Sequence, residues 1–97
     1  MNIEQFNKII IGKWKLDDGR ILDFSTKEDF LFTDASGETH SEKEKFFSHK
    51  NKYDDIQIMI PTLAVGIGII RSLSINEIIY DDFDTDGSKT EFVLTRI

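Results

Sequence analysis

No cysteine occurs in the sequence, which excludes disulfides, a thiol nucleophile and a thiolate metal centre. Such a chain suits a reducing compartment. Histidine is scarce too. His40 and His49 form no His-x-x-x-His arrangement, so neither has the second histidine of such a metal site. Exposed loop positions are the simpler reading of both. Basic charge is short as well: 12 Lys and Arg face 18 Asp and Glu, a net charge of −6. That balance disfavours binding along a nucleic-acid backbone, which needs an excess of cations. Long apolar runs are missing. The most apolar stretch, residues 61–70, opens with Pro61 and is too short to span a bilayer.

Other absences bear on catalysis and targeting. No Gly-x-Ser-x-Gly elbow occurs, and Gly66-x-Gly68 lacks the third glycine of a phosphate cradle. These two glycines read instead as relief for a bend or bulge in a strand. Nothing assembles a nucleophile, a base and an oxyanion hole, so enzymatic activity is disfavoured and no cofactor is called for. Residues 1–11 carry Asn2, Glu4, Gln5, Asn7 and Lys8, which break any signal-peptide core. The expected location is cytoplasmic on the sequence as given, and secreted or periplasmic if a leader was trimmed.

What the chain does contain is alternation. Gly12, Trp14 and Leu16 fall on one side of a run whose other side is Lys13 and Lys15, the period of a half-buried strand. At the far end Phe92, Leu94 and Arg96 share one face, and Glu91, Val93, Thr95 and Ile97 share the other. Before the first strand, Asn2 stands as an N-cap with Gln5 at the third helical position. Ile3, Phe6, Ile9 and Ile10 then recur at helical spacing. A short amphipathic helix covering one end of a sheet is expected.

Between these ends the turn signals are frequent. Asp17-Asp18-Gly19 fits a tight hairpin, followed by a strand with Leu22 and Phe24 on one face. Phe30 and Phe32 share a face of the next run. Residues 38–53 are ambiguous. Charged alternation suits an outer strand, while Ser41-x-x-Glu44 resembles a capping box; the missing apolar stripe favours the strand. Ile56, Ile58 and Ile60 alternate in the run after it. Residues 67–73 and 77–83 pair around Ser74-Ile75-Asn76, and 84–88 turn into the last strand. About eight short strands in one 97-residue domain predict an all-β, antiparallel up-and-down barrel.

Gly12-Lys13-Trp14 after a helical lead-in resembles the G-x-W motif that opens lipocalin and other calycin-type barrels. Leu94-Thr95-Arg96 looks like the family's closing strand, and residues 70–80 are similar to its penultimate hairpin. The resemblance implies a structural trio of Gly12, Trp14 and Arg96, with the Arg packed across the indole. It also implies a non-enzymatic module for a small apolar or short-chain amphipathic ligand, one with an acidic head being an option. The chain is much shorter than a typical lipocalin, and Thr33-Asp34 runs into Ala35 where the family has Thr-Asp-Tyr. A small or partly occluded cavity is therefore expected.

Its lining would come from Leu22, Phe24, Phe30, Phe32, Ile58, Ile69, Phe92 and Leu94, with Arg71 or Tyr80 as polar anchor if either turns inward. For Arg71 strict alternation predicts the face of Ile69 and Leu73, whereas a bulge near Gly68 turns it outward, and outward is favoured. The alternative function is an interaction or structural domain with a filled core. A homo-oligomer is compatible with either. Asp82-x-Asp84-x-Asp86-Gly87 opens like a calcium loop, but its twelfth position is Val93 in place of Glu. A solvated hairpin tip is the expectation there, and no metal site.

Overall fold

A computed structural model describes residues 2–24, 30–42, 47–59 and 67–97, without the side chains of residues 30, 40–42 and 47. The chain begins with helix α1 (Ile3–Ile9). The side-chain oxygen of Asn2 accepts from the backbone N–H of Glu4 at 2.7 Å and of Gln5 at 3.4 Å. Such a cap contributes about 1 kcal/mol. Two turns of helix do not persist alone in water. Burial of Phe6 and Ile10, the two ends of one stripe, is what holds α1.

Among the described residues nine strands follow: β1 (Lys13–Leu16), β2 (Ile21–Asp23), β3 (Phe30–Thr33), β4 (Thr39–Glu42), β5 (Phe47–Lys50), β6 (Ile56–Met59), β7 (Ile67–Leu73), β8 (Glu77–Phe83) and β9 (Lys89–Arg96). They form one antiparallel sheet in the order β4-β3-β2-β1-β9-β8-β7-β6-β5. Residues 38–53 thus hold two short strands where one outer strand was expected, and neither of these pieces is helical. Counting antiparallel steps from β3 around to β6 shows that β4 and β5 run the same way. The nine strands therefore make eight alternating passes up and down. The sheet is a half-barrel. Helix α1 leads into β1 near the middle of the order, yet it packs against β5 at the edge. There the Ser48 hydroxyl donates to the Asn7 side-chain oxygen at 3.0 Å.

The concave face carries the core. Trp14, Leu16, Leu22, Phe24, Ile56, Ile58, Ile70, Ile78, Tyr80 and Leu94 are buried there with Phe6 and Ile10. Strands β1 and β6 alternate as their sequence period requires, and β8 does so as far as Tyr80, after which Asp81 is buried as well. Strand β7 departs from that period. A register shift between Ile70 and Ser72 leaves Arg71 as the extra residue of a bulge. Gly68 and Ile70 face inward before the bulge, and Leu73 packs on the core after it.

The pairings give the half-barrel two ends. At the helix end lie Lys13, Asp23, Glu77 and Arg96; at the opposite end lie Leu16, Phe83, Ile67 and Lys89. The β8–β9 turn sits beyond the opposite end, with Gly87 at φ +85° and its N–H on the Asp84 carbonyl at 3.0 Å.

Candidate functional site

The helix end is closed by Arg96 and Trp14. Their Cα atoms are paired across β9 and β1, and the Arg96 Cζ stands 4.2 Å from the indole centroid. The stack expected between the terminal strands is present. Trp14 is fully buried, and its Nε1 donates to the Ile10 carbonyl at 2.8 Å. Arg96 donates from Nε to the Ile75 carbonyl at 2.5 Å, from Nη1 to Ile11 at 3.0 Å and from Nη2 to Ile9. Two of those carbonyls belong to the exit of α1, where a cation meets the negative end of the helix dipole. Gly12 completes the trio for two reasons. Its φ is +127°, and a Cβ there would stand 2.6 Å from Arg96 Nη1. All three residues serve the packing of the helix end.

Toward the opposite end the inner wall changes character. Strand β8 presents Ile78, Tyr80 and Asp82 in turn to the interior. The Tyr80 ring stacks on Phe92 with centroids 5.1 Å apart and planes 19° apart. Its room comes from Gly68, where an added Cβ would lie 2.9 Å from both Tyr80 Cδ2 and Ile58 Cγ1. The sequence reading assigned that glycine to a bend; in the structure it is clearance for a ring.

The polar tips of this row are unusual. Tyr80 Oη and Asp82 Oδ1 are both enclosed, and neither has a hydrogen-bond partner among the described residues. An enclosed polar atom left unpaired costs about 1–3 kcal/mol. Burial pushes the Tyr80 phenol well above its ordinary pKa, the charge of Asp82 adds to the rise, and Arg20 opposes it. Burial likewise raises the Asp82 carboxyl, with help from Asp84. A phenol and a carboxylate thus face the same interior, each destabilised when charged.

The sign of the tyrosine effect gives a testable pH dependence. The folded pKa lies above the ordinary value of 10.0, so the unfolded chain loses this proton first. The contribution is complete below pH 10.0 and is lost as pH rises beyond it. Urea midpoints measured from neutral to strongly alkaline pH will fall more steeply for the native protein than for Tyr80→Phe. The difference approaches about 1.4 kcal/mol per pH unit. Parallel curves would show that Tyr80 ionises freely in the folded state.

Of the residues expected to line a site, Leu22, Phe24, Ile58, Tyr80 and Leu94 are buried on the inner face, and Phe32 and Phe92 pack partly against it. The side chain of Phe30 lies outside the described residues, as does Ile60. One expectation needs correction. Ile69 faces outward, because its neighbours Gly68 and Ile70 take the inner positions. Arg71 also stands outside, at the bulge, where Nη1 meets Asp81 Oδ1 at 3.3 Å and Glu91 Oε2 at 3.2 Å. The favoured outward position holds, with the bulge three residues past Gly68 rather than at it. Arg71 therefore leaves the interior without the cation once considered for an acidic head.

Asp82 is the inner-face residue that the motif reading missed, because it was grouped with the acidic turn. The parity of Ile78 and Tyr80 was the available signal. In the turn itself, Asp84 Oδ1 accepts the Thr85 N–H at 2.7 Å and Asp86 Oδ1 accepts the Ser88 N–H at 2.8 Å. Hydrogen bonds from the Ser88 side chain and then from its N–H hold Asp86 below the usual carboxylate range. His49 is exposed on β5. Among the described residues no three His, Asp or Glu side chains come together as a metal site, and no helix is long and apolar enough to cross a membrane. Comparison with protein-family models, with curated proteins and with solved structures finds no match to this chain.

Proposed function

We propose that the chain is a non-enzymatic, lipocalin-like binding module whose inner face takes a small apolar or short-chain amphipathic ligand. The observation that carries this is the pair Tyr80 Oη and Asp82 Oδ1, enclosed and unpartnered on an otherwise apolar wall. Ligand sites combine an apolar lining with a few convergent polar groups, and this wall has both. The half-barrel closes, in this proposal, between β4 and β5. They are the two sheet edges, they follow one another in the chain, and they run in the same direction. They would therefore serve as one bent strand shared by both edges, not as a parallel pair, which needs a long crossover. Closure would remove both exposed edges. Large side chains, Trp14, Phe24 and Phe6 among them, fill the helix end, so in this proposal the ligand sits toward Tyr80.

Titration with N-phenyl-1-naphthylamine, a neutral apolar fluorophore, tests the proposal. Saturable enhancement at one probe per chain is the expected result, with binding weakened by Phe32→Trp. A linear signal without saturation, unchanged in that variant, would remove the binding module from consideration.

One observation favours a second reading, a protein-interaction domain. Met59, Ile67 and Phe83 are each about 40–50% exposed on the outer face of β6, β7 and β8, with Ile67 and Phe83 paired. Exposed apolar groups in a row mark contact surfaces more often than isolated ones do. Sedimentation velocity over a range of concentrations will show self-association that Ile67→Ser abolishes if this face joins two copies. A monomer at every concentration would exclude that assembly.

A further inference from the structure

We infer that the polar end of the ligand is a hydrogen-bond donor, a primary ammonium on a short alkyl chain, seated between Tyr80 Oη and Asp82 Oδ1. This rests on the binding reading above and adds the chemical class of the head group. Tyr80 is buried and Asp82 is half-buried two positions further along the same strand, so they share its inner face with Cα atoms about 7 Å apart. An ammonium has three donors and no acceptor, so one such group can engage both oxygens. The phenol both donates and accepts, while the ionised carboxylate only accepts. A donor on the ligand would satisfy Asp82 and a lone pair of the phenol together.

An acidic head is disfavoured on the same grounds. A carboxylate ligand would meet Asp82 at close range, with Asp84 adding to the repulsion. The three arginines that could offset it are engaged elsewhere. Arg71 is outside with Asp81 and Glu91, and Arg96 is committed to three carbonyls at the helix end. Arg20, whose charge reaches the Tyr80 phenol, is held by Asp18 at 2.7 Å. The β8–β9 turn beyond this end adds Asp84 and Asp86, which favour the approach of a cation.

The test is displacement of bound N-phenyl-1-naphthylamine by hexylamine, hexanol and sodium hexanoate near neutral pH, in the native protein, Asp82→Asn and Tyr80→Phe. Circular dichroism checks that both variants fold, and calorimetry of hexylamine on the native protein gives a direct reading that needs no variant. Hexylamine is expected to displace the probe at a concentration at least about tenfold below that of hexanoate, with hexanol between them. Asp82→Asn should erase the advantage of hexylamine over hexanol, and Tyr80→Phe should reduce it several-fold. Equal potency of the three heads, preference for hexanoate, or an ammonium advantage that survives Asp82→Asn would overturn the inference while leaving the binding module intact. Failure of the fluorophore itself to bind saturably would instead remove the reading on which the inference stands.

Discussion

Replacing Trp14 with alanine is expected to lower the stability of the folded chain by about 3–5 kcal/mol. The indole is fully buried, and its surroundings are drawn from both ends of the chain. On β1 it lies opposite Leu22 of β2 and Arg96 of β9, so its removal opens a void where three strands meet. The loss is greater than transfer of the ring to water, because the walls of such a void relax only in part. The Ile10 carbonyl, which accepts the indole N–H, also loses its partner at the exit of α1. A domain of this size has a total stability of roughly 5–15 kcal/mol. The variant should therefore populate unfolded chains visibly at moderate temperature. Urea unfolding followed by far-ultraviolet circular dichroism measures the effect without relying on tryptophan fluorescence. Trp14→Phe keeps most of the packing and should recover at least half of the loss. A cost below about 1 kcal/mol for the alanine variant would mean that the helix end packs independently of its tryptophan.

How much of this was legible beforehand depends on the register of single residues. At the termini the alternation is unbroken, and an unbroken period of two maps directly onto inner and outer faces. Trp14 and Arg96 could therefore be assigned to one contact from 82 residues apart in the sequence, and the 4.2 Å stack is there. Helix α1 was equally readable, because Asn2 caps it and Phe6 and Ile10 repeat at helical spacing. In β7 the pattern is degenerate. Ile69 and Ile70 are both apolar, so either can face the core, and only the bulge at Arg71 decides between them. A one-residue insertion reverses every later side chain, which is why Ile69 was assigned to the wrong wall. Residues 38–53 carry charge on both faces and leave period and propensity in conflict; two short strands result. Asp82 was hidden by composition. Its neighbours Asp84 and Asp86 belong to a turn, but β8 continues to Phe83 and carries Asp82 inward.

Arg96→Met is the second substitution expected to be costly, at about 3–4 kcal/mol, and its effect should be concentrated in one place. Methionine keeps an apolar stem over the indole, so the packing term is largely preserved. What disappears is the guanidinium and its bonds to the carbonyls of Ile9, Ile11 and Ile75. Bonds from a charged donor are worth about 1.5–3 kcal/mol each, though three on one group do not add. The cation–π attraction to Trp14 goes as well, about 0.5–2 kcal/mol. Arg96→Lys should recover only part of this, since a point ammonium cannot reproduce a planar fork spanning separate carbonyls. These partners join α1 and the β7–β8 turn to the end of β9, so their loss should free the helix before the sheet. Amide hydrogen exchange will show the N–H groups of Phe6 and Ile10, which bond to Asn2 and Phe6 within α1, losing protection first. The β8–β9 ladder should keep its protection until global unfolding. A double-mutant cycle with Trp14→Phe should return a coupling of about 0.5–3 kcal/mol, because the two side chains touch. Uniform loss of protection across helix and sheet, with no coupling in the cycle, would show that Arg96 stabilises the chain in some way other than by clasping its helix end.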